Sequence, residues 1–335
     1  MAVLLMLVFN PALGVCDMQP DQYAPCDDDI PAGWKLVEGD ILVPDIPLQT
    51  IFLKYIYRGQ YWPAGVVPYQ FAPNVSPNNQ ALARSAMQEW EKVANVYFVE
   101  RNQEEDFLYI QSHSRINSSN IGNIGGKQTV NINHWEKFTI VHELGHVLGL
   151  VHEQTRADRD NYITVNRANV DPDLTDQEFE DNFGKELAQY TDVYGPYDFD
   201  SVMHYGQCAG SICADCSADP VNCRTITVKS PWDVKWQDAI GQSDHLSNLD
   251  ALTMSFLYPF DDWVFVNGSY ELAPSCIPQF GVGTFLSPYC EFTTASEFVP
   301  PGGTVIIQPG IYSAVGVYSN PMILQAPLGD VTLGE

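Results

Sequence analysis

Residues 142–152 read His-Glu-Leu-Gly-His-Val-Leu-Gly-Leu-Val-His. On a helix, residues four apart share a face, so His142 and His146 can aim two imidazoles at one point. Neutral imidazole is a good zinc ligand. Glu143 stands one residue round from His142. From there its carboxylate can reach a metal-bound water rather than the metal. Gly149 follows about one turn after His146, and glycine tolerates the left-handed dihedrals that end a helix and turn the chain back. His152 then arrives as a third ligand from outside the helix. Three protein ligands leave a fourth position open, as catalytic zinc requires. The spacing predicts one Zn2+ per chain, held by His142, His146 and His152, with Glu143 as general base.

A second group lies about 50 residues further on: Ser201-Val-Met203-His-Tyr205. Met203 in a tight turn would give the metal an apolar floor. The Tyr205 phenol could reach the metal or the oxyanion formed when a peptide carbonyl is attacked.

These residues need a scaffold. Ser76-Pro77 reads as a helix N-cap followed by proline in the first turn. Leu82, Ala86, Trp90, Val93 and Ala94 then repeat at helical spacing, which predicts a helix to about Ala94. Strand-like stretches are Tyr61–Phe71, Val96–Val99, Phe107–Gln111 and Gln128–Asn133. A second helix should run from about Trp135 to Leu148 and stop at Gly149. Beyond a boundary near Pro259–Asp262, Val264–Tyr270 and Gly303–Gln308 are strand-like and separated by Pro/Gly turns.

The chain has 335 residues, about two domains by length. Sixteen Lys+Arg against 42 Asp+Glu give a net charge of −26, which repels phosphate backbones and argues against nucleic acid. With 45% hydrophobic residues, the chain is no disordered acidic tail. No apolar run reaches the ~18 residues of a membrane span. The start, MAVLLMLVFNPALGVC, resembles a secretory signal peptide cut near Gly14, with a buried strand or helix as the alternative. Eight cysteines beside an export signal suggest disulfides. Cys208, Cys213, Cys216 and Cys223 allow three internal pairings. A four-thiolate zinc site is the rival reading, although their spacing is poor for paired CxxC knuckles.

HELGHVLGLVHEQTRADRD together with SVMHY resembles the astacin family of metzincin zinc endopeptidases. YWPAGVVPYQF, AMQEWEKVANVYF and NIGGKQTVNI support the likeness, which covers roughly residues 55–260. The resemblance implies an α+β fold: a two-lobed peptidase domain with a mixed sheet and an active-site helix. It makes Tyr205 a switchable zinc ligand that swings off to stabilise the transition state. It gives Glu153 the task of anchoring the new amino terminus after activation. Arg156, Asp158, Arg159 and Asp160 look like a structural ion-pair cluster. The family's propeptides often carry Phe-x-Gly-Asp, and Val37-Glu38-Gly39-Asp40 matches its last two positions. Asp40 would then bind zinc in the zymogen and displace the water. The likeness also has departures. Asn95 stands where a cysteine is expected, and no cysteine lies between Cys26 and Cys208, which fits a bacterial-type branch.

The expected organisation is a signal peptide at 1–15, a propeptide at 16–52, the peptidase domain at 53–260 and a small all-β module at 261–335. That last piece resembles the opening rung of a right-handed parallel β-helix; a compact module held by Cys276–Cys290 is the other reading. The function expected is that of a secreted zinc endopeptidase, made as a zymogen with an aspartate switch, acting on protein or peptide substrates. The alternative is a surface-binding protein with an inactive metal domain.

Overall fold

The structure, a computed structural model, describes residues 30, 33–37, 39–44, 61–172, 174–185, 195–267, 283–284, 288–314 and 316–334. The expected signal segment 1–15, most of 16–52, and Cys16, Cys26 and Cys276 lie outside them.

A short hairpin comes first. Strand β1 (Trp34–Val37) pairs antiparallel with β2 (Ile41–Pro44). Gly39 makes the turn at φ +79°, where a side chain would be strained.

The upper lobe is a sheet covered by helices. Strands β3 (Val66–Phe71), β4 (Tyr97–Glu100), β5 (Phe107–Ser112) and β6 (Lys127–Ile132) lie in the order β4-β3-β5-β6, all parallel. An antiparallel bridge, Ser118 to Asn131, gives the sheet its mixed character. A parallel sheet needs covered faces, and two helices supply cover. Helix α1 (Pro77–Glu91) starts at Ser76, whose hydroxyl accepts the Asn79 N–H at 3.2 Å. It ends three residues before the predicted Ala94, which still donates to the Trp90 carbonyl. Helix α2 (Lys137–Val147) carries His142, Glu143 and His146. Trp90 and Trp62 send their indole N–H groups to the carbonyls of Val141 and Val147, both at 2.9 Å. The Tyr258 hydroxyl reaches the Leu148 carbonyl at 3.1 Å. Buried aromatics thus satisfy carbonyls along and just past the helix that bears the motif, and fix its position.

The lower lobe has little regular structure. Strand β7 (Ile163–Val165) pairs antiparallel with β8 (Ile226–Val228), and helices α3 (Asp176–Phe183) and α4 (Asn248–Leu257) flank the lobe. Its core gathers Tyr197, Phe199, Ile226, Val228 and Ile240, with Tyr162, Trp232 and Trp236 packed against them. The cysteine cluster resolves into Cys208–Cys216 and Cys213–Cys223, so its thiols are spent and the four-thiolate zinc site is excluded.

Past α4 the strands are again parallel. Strands β9 (Trp263–Val266), β10 (Thr304–Ile307) and β12 (Ile323–Gln325) lie in the order β12-β10-β9, while β11 (Gly310–Tyr312) pairs with β13 (Val331–Leu333). Helix α5 (Phe292–Phe298) packs on β9. Phe256 of α4 meets Phe265 edge-on at 5.5 Å, joining this part to the lower lobe.

Candidate metal centre

Gly149 ends the motif helix as its sequence predicts. Its φ is +111°, and its N–H reaches back to the His146 carbonyl at 2.8 Å. The reversal carries His152 under the helix, fully buried. The Nε2 atoms of His146 and His152 each stand 3.2 Å from that of His142. Asp40, from the hairpin turn, completes the group. Its Oδ2 lies 3.1 Å from His142 Nε2 and 3.3 Å from His152 Nε2, and its Oδ1 lies 3.6 Å from His146 Nε2.

The second ring nitrogens decide what this group can bind. His142 Nδ1 lies 2.8 Å from the Val202 carbonyl, and His146 Nδ1 lies 2.8 Å from the Leu150 carbonyl. A carbonyl only accepts, so both Nδ1 atoms carry the proton and both Nε2 atoms present lone pairs. Burial lowers the His146 pKa to about 4, which keeps that ring neutral. Burial pushes the Asp40 carboxyl up, but His152 and the imidazole contacts outweigh it and hold the group well below its ordinary range. Asp40 Oδ1 is buried without a hydrogen-bond partner. Lone pairs converging around an orphaned carboxylate oxygen call for a shared cation. Nitrogen and oxygen donors of this kind suit zinc.

Glu143 is buried beside the cluster and does not join it. Ser119 donates its hydroxyl to Glu143 Oε2 at 2.8 Å. Burial first, then the Asp40 charge, raise the Glu143 carboxyl well above its ordinary range. Met203 sits beneath the helix: a Cβ on Gly145 would meet its sulfur at 2.7 Å, so only glycine lets the thioether come this close. Tyr205 packs its ring 4.6 Å from that of His152. Its hydroxyl faces Gly39, where a Cβ would lie 2.9 Å away.

The expected ion-pair cluster is present. Arg156 pairs with Glu153 and Asp158, both at 2.9 Å, and Arg159 with Asp160 at 3.4 Å. Glu153 also accepts the Asp198 N–H at 2.8 Å. Burial raises its pKa to about 8. It lines a cavity of about 50 Å³ with Arg156, Asp198, Met203 and Asp250.

Four contributors carry no motif. Ser119 orients Glu143. Asn120 donates its side-chain amide to the Leu42 carbonyl at 2.7 Å. Asp250 accepts the Ser201 hydroxyl at 2.6 Å and the Val202 N–H at 2.9 Å, which holds the methionine turn in place. Lys35 of β1 pairs with Asp181 of α3 at 2.9 Å and ties the hairpin to the lower lobe. Each is a common residue type whose role depends on distant partners, so no local pattern could single it out.

Two lobes meeting at three imidazoles, with a glutamate alongside and a methionine turn below, form a site of the HExxHxxGxxH pattern. The family Astacin (Peptidase family M12A) matches residues 54–259. The chain belongs to the astacin family. It is 42% identical over 150 residues to mouse Tolloid-like protein 2, covering 44% of this chain and 14% of that protein. It is 36% identical over 188 residues to astacin-like metalloprotease toxin 1 of the spider Loxosceles intermedia, covering 55% of this chain and 69% of the toxin. Among solved structures it resembles High choriolytic enzyme 1, a hatching enzyme zinc-protease from medaka, Oryzias latipes. That match has 29% identity and a TM-score of 0.50, over 64% of this chain and 96% of that one. The chain thus spans only a small part of the tolloid-like relatives' length.

Proposed function

We propose that the chain is a secreted zinc endopeptidase, held latent by Asp40. The observation that carries the reading is the convergence of His142, His146 and His152 Nε2 with the Asp40 carboxylate, Glu143 standing one step outside. Zinc bound by the three histidines would polarise the scissile carbonyl and make a bound water acidic. The chain's own groups do the rest. Glu143 takes the water's proton and passes it to the leaving amine. Ser119 fixes the carboxylate that does so. Tyr205 turns from Gly39 toward the site once the hairpin leaves, and its hydroxyl donates to the developing oxyanion. Met203 keeps the floor apolar, and Gly149 sets the reversal that delivers His152. Glu153, beside its cavity, receives the amino terminus created by activation.

Latency is supported by backbone pairing as well as by Asp40. Ser119 N–H donates to the Asp40 carbonyl and Leu42 N–H to the Ser119 carbonyl, each at 2.9 Å. The hairpin thus occupies the cleft edge. We read 1–15 as the signal peptide, 16–52 as the propeptide, 53–260 as the peptidase domain and 261–335 as the accessory module. Disulfides in the lower lobe favour an extracellular setting. The parallel pairing of β9, β10 and β12 favours the β-helix reading of the last module. The missing cysteines favour the bacterial-type branch.

Casein digestion by the processed, zinc-loaded chain tests the activity. Cleavage should stop with a chelator and return with zinc; an uncut substrate at one bound zinc would leave the surface-binding alternative. The unprocessed chain should be inactive, while Asp40→Ala should give it measurable activity. Equal latency with and without Asp40 would remove the switch.

A further inference from the structure

Resting on the peptidase reading, we infer that Ile121 and Val151 wall an aliphatic subsite beside the metal. It takes a branched apolar side chain of the peptide substrate next to the bond that is cut. Ile41 and Val43 of β2 are almost fully buried, at 1% and 5% exposed. They cluster with Ile121, and Val37 and Val151 pack against the group. Alternation along a strand puts Ile41 and Val43 on one face and Leu42 on the other.

Both wall residues are fixed to the metal site. Val151 immediately precedes His152. Ile121 precedes Gly122, whose N–H donates to the His146 carbonyl at 2.9 Å. Val151 through the chain and Ile121 through that hydrogen bond are thus tied to a histidine of the site. The hairpin is gripped through groups that any extended peptide possesses: the Ser119 N–H and carbonyl, and the Asn120 amide on the Leu42 carbonyl. Main-chain contacts give affinity without choosing a sequence, and side-chain pockets make the choice. Removal of the hairpin uncovers Ile121 and Val151. A substrate that adds to the same edge must set a side chain there, and an aliphatic one restores the lost burial.

Cleavage of a randomised peptide library by the processed, zinc-loaded enzyme tests this. Product termini should show Ile, Val or Leu enriched at one fixed position beside the cut bond. Ile121→Ala should lower kcat/KM on an Ile-bearing peptide by about tenfold or more, while an Ala-bearing peptide changes by no more than about twofold. Ile121→Val should recover most of the loss. A synthetic Gly39–Pro44 peptide should bind the same enzyme about tenfold more weakly when Ile41 is replaced by Ala. Cleavage with no aliphatic preference would overturn the subsite, even if that peptide loses binding, because the wall would then serve latency alone. An uncut library would instead sink the peptidase reading.

Discussion

The two lobes solve one problem with different materials. The upper lobe places His142, Glu143 and His146 by regular means: a parallel sheet, two helices and an apolar core containing Trp62, Trp90, Leu108 and Leu144. The lower lobe holds the turn that carries Met203 and Tyr205 with buried polar groups, while the Met203 side chain itself reaches into that apolar core. Asp250 grips Ser201 and Val202, Gln154 accepts the Tyr205 N–H at 2.9 Å, and Glu153 accepts from Asp198. Apolar packing is strong and non-directional, and it suits a helix that must only stay put. Hydrogen bonds are directional, and they suit a loop whose backbone has no ladder of its own.

The contrast should appear first in catalysis. Glu143→Gln should keep zinc yet lose turnover by about 10²–10⁴, since an amide cannot take the water's proton. Steady-state peptide hydrolysis with metal analysis checks this, and near wild-type turnover would unseat the base. Tyr205→Phe should fold, bind zinc and lose about 10²–10³, the scale of one oxyanion donor. An unchanged kcat would confine the chemistry to the upper lobe.

Stability should separate the lobes next. Trp90→Ala removes a fully buried indole and its bond to Val141, and should cost about 3–5 kcal/mol in denaturant unfolding. Asp250→Ala leaves the Ser201, Val202 and Ser247 donors without their acceptor and should cost about 2–3 kcal/mol. If Asp250→Ala proves neutral, the polar account of the lower lobe fails.

The smallest expected effect is on pH. Burial raises the Asp250 pKa from 3.8 to about 6. Between those values the folded chain holds a proton that the unfolded chain has released. This group's contribution to stability therefore falls as pH rises through that window and is flat above it. Asp250→Asn should flatten the slope of melting temperature against pH between about 4 and 6. Trp90→Ala should leave that slope alone. An unaltered slope in the asparagine variant would assign the pH response elsewhere.

The same contrast explains what could be read from the sequence. Histidines at fixed spacing on one helix form a local pattern, so the convergence of His142 and His146, the stop at Gly149 and the helix itself were legible. The cap at Ser76 and the face ending in Trp90 were legible for the same reason. Asp250 lies about 50 residues from the turn that it holds, and Ser119 lies 24 residues before Glu143. Such links are made only when the chain closes, and a serine or aspartate looks alike in every loop. The disulfide pairing was open for the same reason: the cysteines announced the cluster, while their partners depend on how the loop is wound.

A crystal structure of the unprocessed, zinc-loaded chain would show whether Asp40 holds the metal site closed. Zinc should be bound by the Nε2 atoms of His142, His146 and His152 at about 2.0–2.1 Å and by an Asp40 carboxylate oxygen at about 2.0–2.2 Å. Water on the metal with Asp40 turned to solvent would contradict the latency, and zinc bound away from the three histidines would contradict the site itself.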